Sequence, residues 1–389
     1  MLQSVNSRVR DDVVPRTPVP WRLLCTAMCA LLLGVPACRP PRAVPAVPAG
    51  AWTSTLGGPE RAAYARENVD HTVRESWRTG VDRGLAAALQ VHGHVLVATT
   101  TGRSVVTLNA ETGMQYWSRR YNAPIAGTAL RRNDRVYVAT GDRDNKVHAI
   151  DITRGRGVWS QRVGAVRVEP LLLDDIIVVA TEPGEVVALR VADGSPVWHA
   201  ALRARPAAPP VVAGGTLFVA TTRDTLVGID PASGRITTTM ALPATPSATI
   251  LAHGDVLVIA THAGHVIAIP TGGTAGLRWS ADVGAPVLAP VAAIGSDVYV
   301  LNRNAEVWRI DADGRAERIV GLGGAAAGSF AAVGTRLVAG RLDGALFLLD
   351  TDGTIIWQQD MGDSVVAPVA AHAGALFVPL LRGDIVKLQ

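Results

Sequence analysis

The strongest constraint on the fold is a sequence unit that repeats eight times, at intervals of about 40 residues, until the chain ends. Each unit contains two short runs of apolar and β-branched residues. The last residue of the first run marks eight equivalent positions: Thr99, Thr140, Thr181, Thr221, Thr261, Asn302, Gly340 and Leu380. Successive positions are separated by 41, 41, 40, 40, 41, 38 and 40 residues. Strand-rich units of this length are typical of propeller blades, so the sequence predicts an all-β, eight-bladed β-propeller with four-stranded blades.

Turn residues support this interpretation. Several runs, such as Val136–Thr140 and Leu217–Thr221, are apolar at nearly every position, which is typical of strands buried on both faces by neighbouring sheets. The second run is followed by an Asp or Asn and then by a Gly, as in Asp230-Pro-Ala-Ser-Gly234 and Asp350-Thr-Asp-Gly353. Asp favours the start of a tight turn, and Gly accepts the positive φ at its end. We therefore expect a tight turn before the last strand of each blade.

A tryptophan recurs in the last strand of most units. It lies four residues after the turn Gly in four units and at a shifted position in a fifth, whereas Thr238 and Arg318 replace it in the fourth and sixth units. One aromatic residue per unit on an outer strand favours packing against the next blade over ligand stacking. The predicted structural tryptophans are Trp77, Trp117, Trp159, Trp198, Trp279 and Trp357.

The two ends of the repeat region complement each other. Residues 74–80 resemble the tryptophan strand of a unit but have no unit before them, and the last unit stops at Gln389, before its own tryptophan strand. We therefore predict that residues 74–80 form the outer strand of the eighth blade and close the ring. Closure of this kind leaves no open gap between the first and last sheets. The predicted propeller domain covers residues 74–389.

The N-terminal residues 1–37 have the features of a secretory signal. Four arginines precede Leu23–Val35, an apolar run of 13 residues, which is too short to cross a membrane as a helix. The next residues, Val35-Pro-Ala-Cys38, resemble a bacterial lipobox, so Cys38 is the predicted lipidation site. The chain has three cysteines and none after Cys38, in keeping with a lipidated rather than a free thiol. The alternative is an ordinary residue that follows a standard signal cleavage site.

The segment that follows Cys38 is rich in proline and alanine. Residues 38–73 are predicted to be a lipid-anchored tether and N-terminal extension, with one short helix at Pro59–Arg66. Arg39 follows the cysteine where inner-membrane lipoproteins carry Asp, which implies sorting to the outer membrane. The formal net charge is +4, and removal of residues 1–37, with four arginines and two aspartates, leaves +2. No basic cluster stands out, so we expect no nucleic-acid partner.

Two units carry a recognisable signature, Thr107-x-Asn109-x-x-Thr112-Gly113-x-x-x-Trp117 and Ala149-x-Asp151 with Gly155 and Trp159. This pattern resembles the Ala-x-Asp-x-x-Thr-Gly-x-x-x-Trp repeat of the quinoprotein (PQQ-like) β-propellers. WD40 repeats place Asp after the tryptophan, whereas this chain has Ser118, Ser160, His199, Ser280 and Gln358. The resemblance covers residues 74–389.

Dehydrogenases of the quinoprotein type carry an adjacent cysteine pair, Ca²⁺ ligands and a catalytic Asp, on a much longer chain. No such cysteine pair follows Cys38 here, and we predict no catalytic residue, no cofactor and no metal. Three weaker motifs are interpreted as surface turns, because each lacks a complete ligand set: His92-Gly-His94, Asp142-Arg-Asp144-Asn145 and His262-Ala-Gly-His265. A PQQ-dependent dehydrogenase remains the less favoured alternative.

A lipid-anchored propeller with PQQ-like repeats is similar to the BamB family of outer-membrane lipoproteins. The resemblance implies a non-enzymatic scaffold that faces the periplasm and binds an outer-membrane barrel-assembly subunit, as a monomer within that complex. The family binds through two neighbouring middle blades, one with a Leu/Arg patch and one with paired Asp residues. The corresponding stretches are Ala201–Pro206 and Leu242–Ser247, and the second has no Asp.

Arg203 and Arg205 are therefore the candidate partner contacts. The alternative is that both are simply solvated arginines. A lipoprotein propeller that binds another protein or a polysaccharide is the main functional alternative.

Overall fold

The computed structural model describes residue 44, residues 51–52 and 64–65, residue 69, and residues 73–85, 87–272 and 276–389. The chain divides into two units, Met1–Pro40 and Pro41–Gln389, and every described residue belongs to the second. The regular secondary structure of these residues is entirely β. No helix among them is long and apolar enough to cross a membrane.

Eight antiparallel four-stranded blades form the predicted propeller, and we number them along the chain, giving the strands of each from inner to outer. Blade 1 comprises Gln90–His92, Val95–Thr99, Ser104–Asn109 and Gln115–Arg120. Blade 2 comprises Leu130–Arg132, Arg135–Ala139, Lys146–Asp151 and Gly157–Arg162. Blade 3 comprises Leu171–Leu173, Ile176–Ala180, Glu185–Arg190 and Pro196–Ala201. Blade 4 comprises Val211–Ala213, Thr216–Thr221, Thr225–Ile229 and Ile236–Ala241.

The last four blades repeat this order, and the eighth is assembled from both ends of the repeat region. Blade 5 comprises Leu251–His253, Val256–Ala260, His265–Pro270 and Trp279–Asp282. Blade 6 comprises Ala292–Ile294, Asp297–Leu301, Glu306–Ile310 and Ala316–Gly321. Blade 7 comprises Ala326–Val333, Arg336–Arg341, Ala345–Asp350 and Ile355–Asp360. Blade 8 comprises Ala370–His372, Ala375–Pro379, Asp384–Leu388 and Glu75–Gly80, which confirms the predicted closure.

The core lies between the blades. The described residues form eight hydrophobic clusters, and each cluster combines residues from two neighbouring blades. The cluster that joins blade 8 to blade 1, for example, packs Phe377 and Ile385 against Leu96 and Leu108. Full burial of one such side chain contributes about 1.5 to 3 kcal/mol. Because each blade is covered on both faces, its middle strands are apolar at almost every position.

The repeated threonine closes the turn between the second and third strands. Thr140 Oγ1 donates to the Lys146 carbonyl over 2.9 Å and accepts from the Lys146 amide over 3.1 Å. Thr181 and Thr261 make the same pair of contacts with the residues four positions later. These threonines are buried, so their hydroxyl groups need internal partners. This requirement explains why the position recurs so regularly.

Most tryptophans of the outer strands contact the next blade in one repeated geometry. Trp117 Nε1 donates to the Ile152 carbonyl of blade 2 over 2.7 Å, and its ring covers Gly155. A Cβ on Gly155, which has φ +67°, would lie 2.7 Å from the ring. We call this arrangement the indole–glycine contact. Equivalent contacts, with an indole hydrogen bond and a covered glycine, are made by Trp77, Trp159 and Trp198.

The remaining outer strands depart from this geometry. Trp279 packs against Gly314, whereas Thr238 in blade 4 and Arg318 in blade 6 occupy the tryptophan position. Trp357 packs against the cluster between blades 7 and 8, which includes Val69, and its Nε1 has no hydrogen-bond partner among the described residues. The reason is chain connectivity: the third and outer strands of blade 8 come from opposite ends of the repeat region, so no turn joins them there.

Parts of the N-terminal extension pair with inner strands. Ala51–Trp52 lies antiparallel to the inner strand of blade 2, and Tyr64–Ala65 lies parallel to that of blade 7. The prediction of a helix at Pro59–Arg66 is therefore wrong at residues 64–65. An inner edge offers unpaired backbone groups, and pairing with them outweighs a modest helix propensity. The signal segment, Cys38 and the boundary at residue 37 lie outside the described residues.

Candidate functional site

The two predicted contact residues lie on the connection between blade 3 and blade 4. This connection and the turns between second and third strands lie on one face of the propeller, which we call the upper face. Arg203 and Arg205 are both exposed, and Arg203 has a positive φ of 58°. Leu202 is only 8% exposed and packs in the cluster between blades 3 and 4. The two arginines are therefore accessible to a partner, whereas Leu202 is buried between the blades.

Arg205 is part of a row of alternating charges along the upper face. The Glu182 carboxylate lies 3.5 Å from Arg205 Nη1 and 2.7 Å from Arg167 Nε. Arg167 Nη2 in turn lies 2.7 Å from the Asp142 carboxylate. The hydrogen bond from Arg167 lowers the pKa of Glu182, so this carboxylate stays charged. The arginines are more than half exposed, so the row orients side chains and adds little stability.

A shallow cleft of about 510 Å³ runs beside this row. It is lined by residues of blades 2, 3 and 4 and of their connections: Asp142, Ala165, Glu182, Pro183, Ala204, Arg205, Thr222 and Arg223. Small apolar side chains lie among charged ones at its surface. A mixed surface of this kind, with arginines at the rim, suits contact with another protein.

The second stretch suggested by the family resemblance lies on the next connection, between blades 4 and 5. It has no Asp of its own, but Thr245 Oγ1 donates a hydrogen bond to the carboxylate of Asp224. Asp224 belongs to the turn between the second and third strands of blade 4. Sequence reasoning missed this residue because it lies 21 positions from Thr245. The sequence feature that could have identified Asp224 is the polar turn Thr222-Arg-Asp224, which lies between the two stretches.

Four exposed residues of the connection between blades 3 and 4 and of this turn form what we call the docking patch: Arg203, Arg205, Arg223 and Asp224. The patch brings together positive and negative groups from two segments of chain. Burial of such groups in an interface requires a partner with complementary charges, which makes contact selective.

A second polar cluster lies between blades 1 and 2. His148 Nε2 lies 2.6 Å from Asp144 Oδ2, and the ring of Tyr121 lies 4.7 Å from that of His148. Burial lowers the pKa of His148, although its bond with Asp144 acts in the opposite direction. Burial also raises the pKa of Tyr121 to about 12. Ser160 lies opposite His148 on the neighbouring strand, yet no hydrogen bond joins the side chains of these two described residues.

The acidic ligands that a Ca²⁺ ion beside a bound quinone would need do not converge in the described part of the chain. No three His, Cys, Asp or Glu side chains there are close enough to hold a metal ion. In the turn Asp142-Arg-Asp144-Asn145, one carboxylate pairs with Arg167 and the other with His148, so they are directed to different partners. The described residues therefore do not offer the Ca²⁺ ligand set of the quinoprotein dehydrogenases.

Solved structures with this fold have different functions. BamB from Moraxella catarrhalis aligns with 82% of this chain and 98% of its own, at 16% identity and a TM-score of 0.68. The quinohemoprotein alcohol dehydrogenase from Comamonas testosteroni aligns with 87% of this chain and 80% of its own, at 12% identity and a TM-score of 0.71. The computationally designed Ika8 protein aligns with 79% of this chain and 96% of its own, at 12% identity and a TM-score of 0.67. These similarities establish the fold alone.

Sequence comparison is more specific. No curated protein matches the chain. A family model described as outer membrane protein assembly factor BamB matches residues 67–270 and 205–300, which together span more than half of the 389 residues. The chain therefore belongs to the PQQ-like repeat family described as outer membrane protein assembly factor BamB.

Proposed function

We propose that this protein is a non-enzymatic scaffold of the cell envelope that supports assembly of outer-membrane β-barrel proteins by binding another protein. The observation that carries the proposal is the docking patch, in which Arg203 and Arg205 are exposed on the upper face. The chain belongs to a family described by outer-membrane protein assembly. Among the described residues, no three His, Cys, Asp or Glu side chains at this face lie close enough to hold a metal ion. This face can bind another protein through complementary charges and apolar contacts.

The proposed partner is a subunit of the machinery that inserts barrels into the outer membrane. This step follows from the family, whose description names outer-membrane assembly. Lipidation at Cys38 would hold the propeller at that membrane, facing the periplasm. An acidic surface on the partner would meet Arg203, Arg205 and Arg223, and a basic group would meet Asp224.

The test is affinity purification of the tagged protein from gently solubilised membranes, followed by mass spectrometry. We expect the wild-type protein to recover an outer-membrane barrel-assembly subunit. The double variant Arg203→Glu/Arg205→Glu should lose most of it, because two of the three positive charges that face the partner are reversed. The matched control is Arg154→Glu/Arg156→Glu, which reverses two exposed arginines at the same spacing in the turn between the third and outer strands of blade 2.

Equal recovery by both double variants would contradict docking through this patch. Recovery of the propeller without any assembly subunit would contradict the proposed partner. Ca²⁺-dependent reduction of an artificial dye by the purified protein, with a bound chromophore in its visible spectrum, would contradict the non-enzymatic role.

A further inference from the structure

In the described part of the chain, the outer strand of each blade has one edge without a neighbouring strand, and these edges differ in charge. Six of the eight outer strands in the described chain contain at least one charged residue, whereas the outer strands of blades 3 and 4 contain none. Charged side chains on an edge discourage pairing with a strand from another molecule. The edges of blades 3 and 4 therefore lack this protection.

Blade 3 has other protection. Its outer strand begins at Pro196, which has no N–H to donate to a further strand, and Trp198 is held by its indole–glycine contact with blade 4. Blade 4 has neither feature. Its outer strand, Ile236–Ala241, contains four β-branched residues, and Thr238 stands in place of the tryptophan.

The side chains of this strand are accessible. Ile236 is 41% exposed, and Thr237, Thr239 and Ala241 are exposed as well. Among the described residues, the strand pairs with Thr225–Ile229 on its inner side only. β-Branched residues on an exposed, pleated edge favour pairing with another extended chain. Blades 2 and 7 already carry a fifth strand from the N-terminal extension, at their inner edges, so these four-stranded blades accept an added strand.

We propose that the outer edge of blade 4, Ile236–Ala241, binds an extended, uncharged segment of another polypeptide, which adds a fifth strand to that blade. Backbone hydrogen bonds supply the affinity, and alternate side chains of the segment contact Ile236, Thr239 and Ala241, which lie on one face of the strand because its register shifts at Thr237. An uncharged segment fits because the strand has no charge to pair with one on the ligand. This site is on the rim of the propeller, and its last residue, Ala241, pairs with Thr225, which follows Asp224 of the docking patch.

The test measures fluorescence anisotropy of a labelled heptapeptide of alternating threonine and valine with the purified protein. The wild-type protein should bind it, and Thr239→Lys and Thr239→Glu should each weaken binding by about fivefold, because one cross-strand contact of about 1 kcal/mol is lost. The matched control is Gln358→Lys, at the equivalent register position of blade 7, whose outer strand already contains Asp360. That variant should bind as the wild type does.

A second peptide, in which proline replaces valine, cannot donate the same backbone hydrogen bonds and should not bind. Three results would overturn the proposal: no binding by a wild-type protein with a normal melting temperature, opposite effects of Thr239→Lys and Thr239→Glu, or equal loss in Gln358→Lys. Sedimentation that shows a wild-type dimer, dissociated by Thr239→Lys and without affinity for the peptide, would instead assign the edge to a second copy of this chain. The assay needs no assembly partner, so its failure leaves the docking patch proposal intact.

Discussion

Blades 3 and 4 are neighbours with the same strand order but different attachments to the next blade. In blade 3, Trp198 Nε1 donates to the Pro231 carbonyl over 2.8 Å, and its ring covers Gly234. In blade 4, Thr238 occupies the same register position, opposite Gly228. Both blades are nevertheless complete four-stranded sheets. The comparison indicates that the indole–glycine contact stabilises a blade interface but does not determine the topology.

The largest expected effect is the loss of one such contact. Trp117→Ala removes a nearly buried indole and its 2.7 Å hydrogen bond to Ile152, and we expect it to cost about 3 to 5 kcal/mol. Thr238→Ala, at the equivalent position of blade 4, should cost about 1 kcal/mol or less, because a smaller and more exposed side chain is lost. Denaturant unfolding of both variants measures the difference. Equal destabilisation would contradict the assigned role of the contact.

Repetition made the fold predictable from sequence, and particular residues explain why. Thr140 and Thr181 recur because a buried hydroxyl at the end of the second strand needs partners, so their spacing reports the blade length directly. The strand at residues 74–80 was predictable because it contains the same tryptophan as the units. These features depend on contacts within one unit or between successive units.

Other parts of the structure depend on contacts that do not repeat from blade to blade, so the repeat could not predict them. Asp224 and Thr245 meet because two blades place them together, and nothing in either segment alone indicates that contact. The pairing of Tyr64–Ala65 with blade 7 joins residues far apart in the chain, so local propensity predicted the wrong structure there. The resemblance to the family predicted the two candidate arginines, whereas only the structure shows that Leu202 is buried.

A smaller effect is expected at the interface of blades 1 and 2, where His148 should make the stability of the protein depend on pH. His148 faces Asp144, Lys146, Arg119 and Tyr121, and burial lowers its pKa. A lowered pKa means that the folded protein disfavours the protonated imidazole. Stability is therefore full above the unfolded-state pKa of about 6.5 and declines as the pH falls through the lower folded-state value.

His148→Gln should remove this part of the pH dependence. We expect the melting temperature of the wild type to fall more than that of the variant between about pH 7.5 and pH 5. Parallel pH profiles would indicate that His148 does not contribute. Asp144 does not contribute in this pH range, since its pKa is lowered from 3.8 and the carboxylate becomes protonated only at more acidic pH.

The most direct test of the comparison is native-state hydrogen exchange of the outer strands, followed by mass spectrometry. If the indole–glycine contact holds each outer strand to the next blade, Ile236–Ala241 of blade 4 should exchange faster than Pro196–Ala201 of blade 3. Trp198→Ala should then raise the exchange of blade 3 to the level of blade 4. Equal protection of the two strands in the wild-type protein would contradict the account.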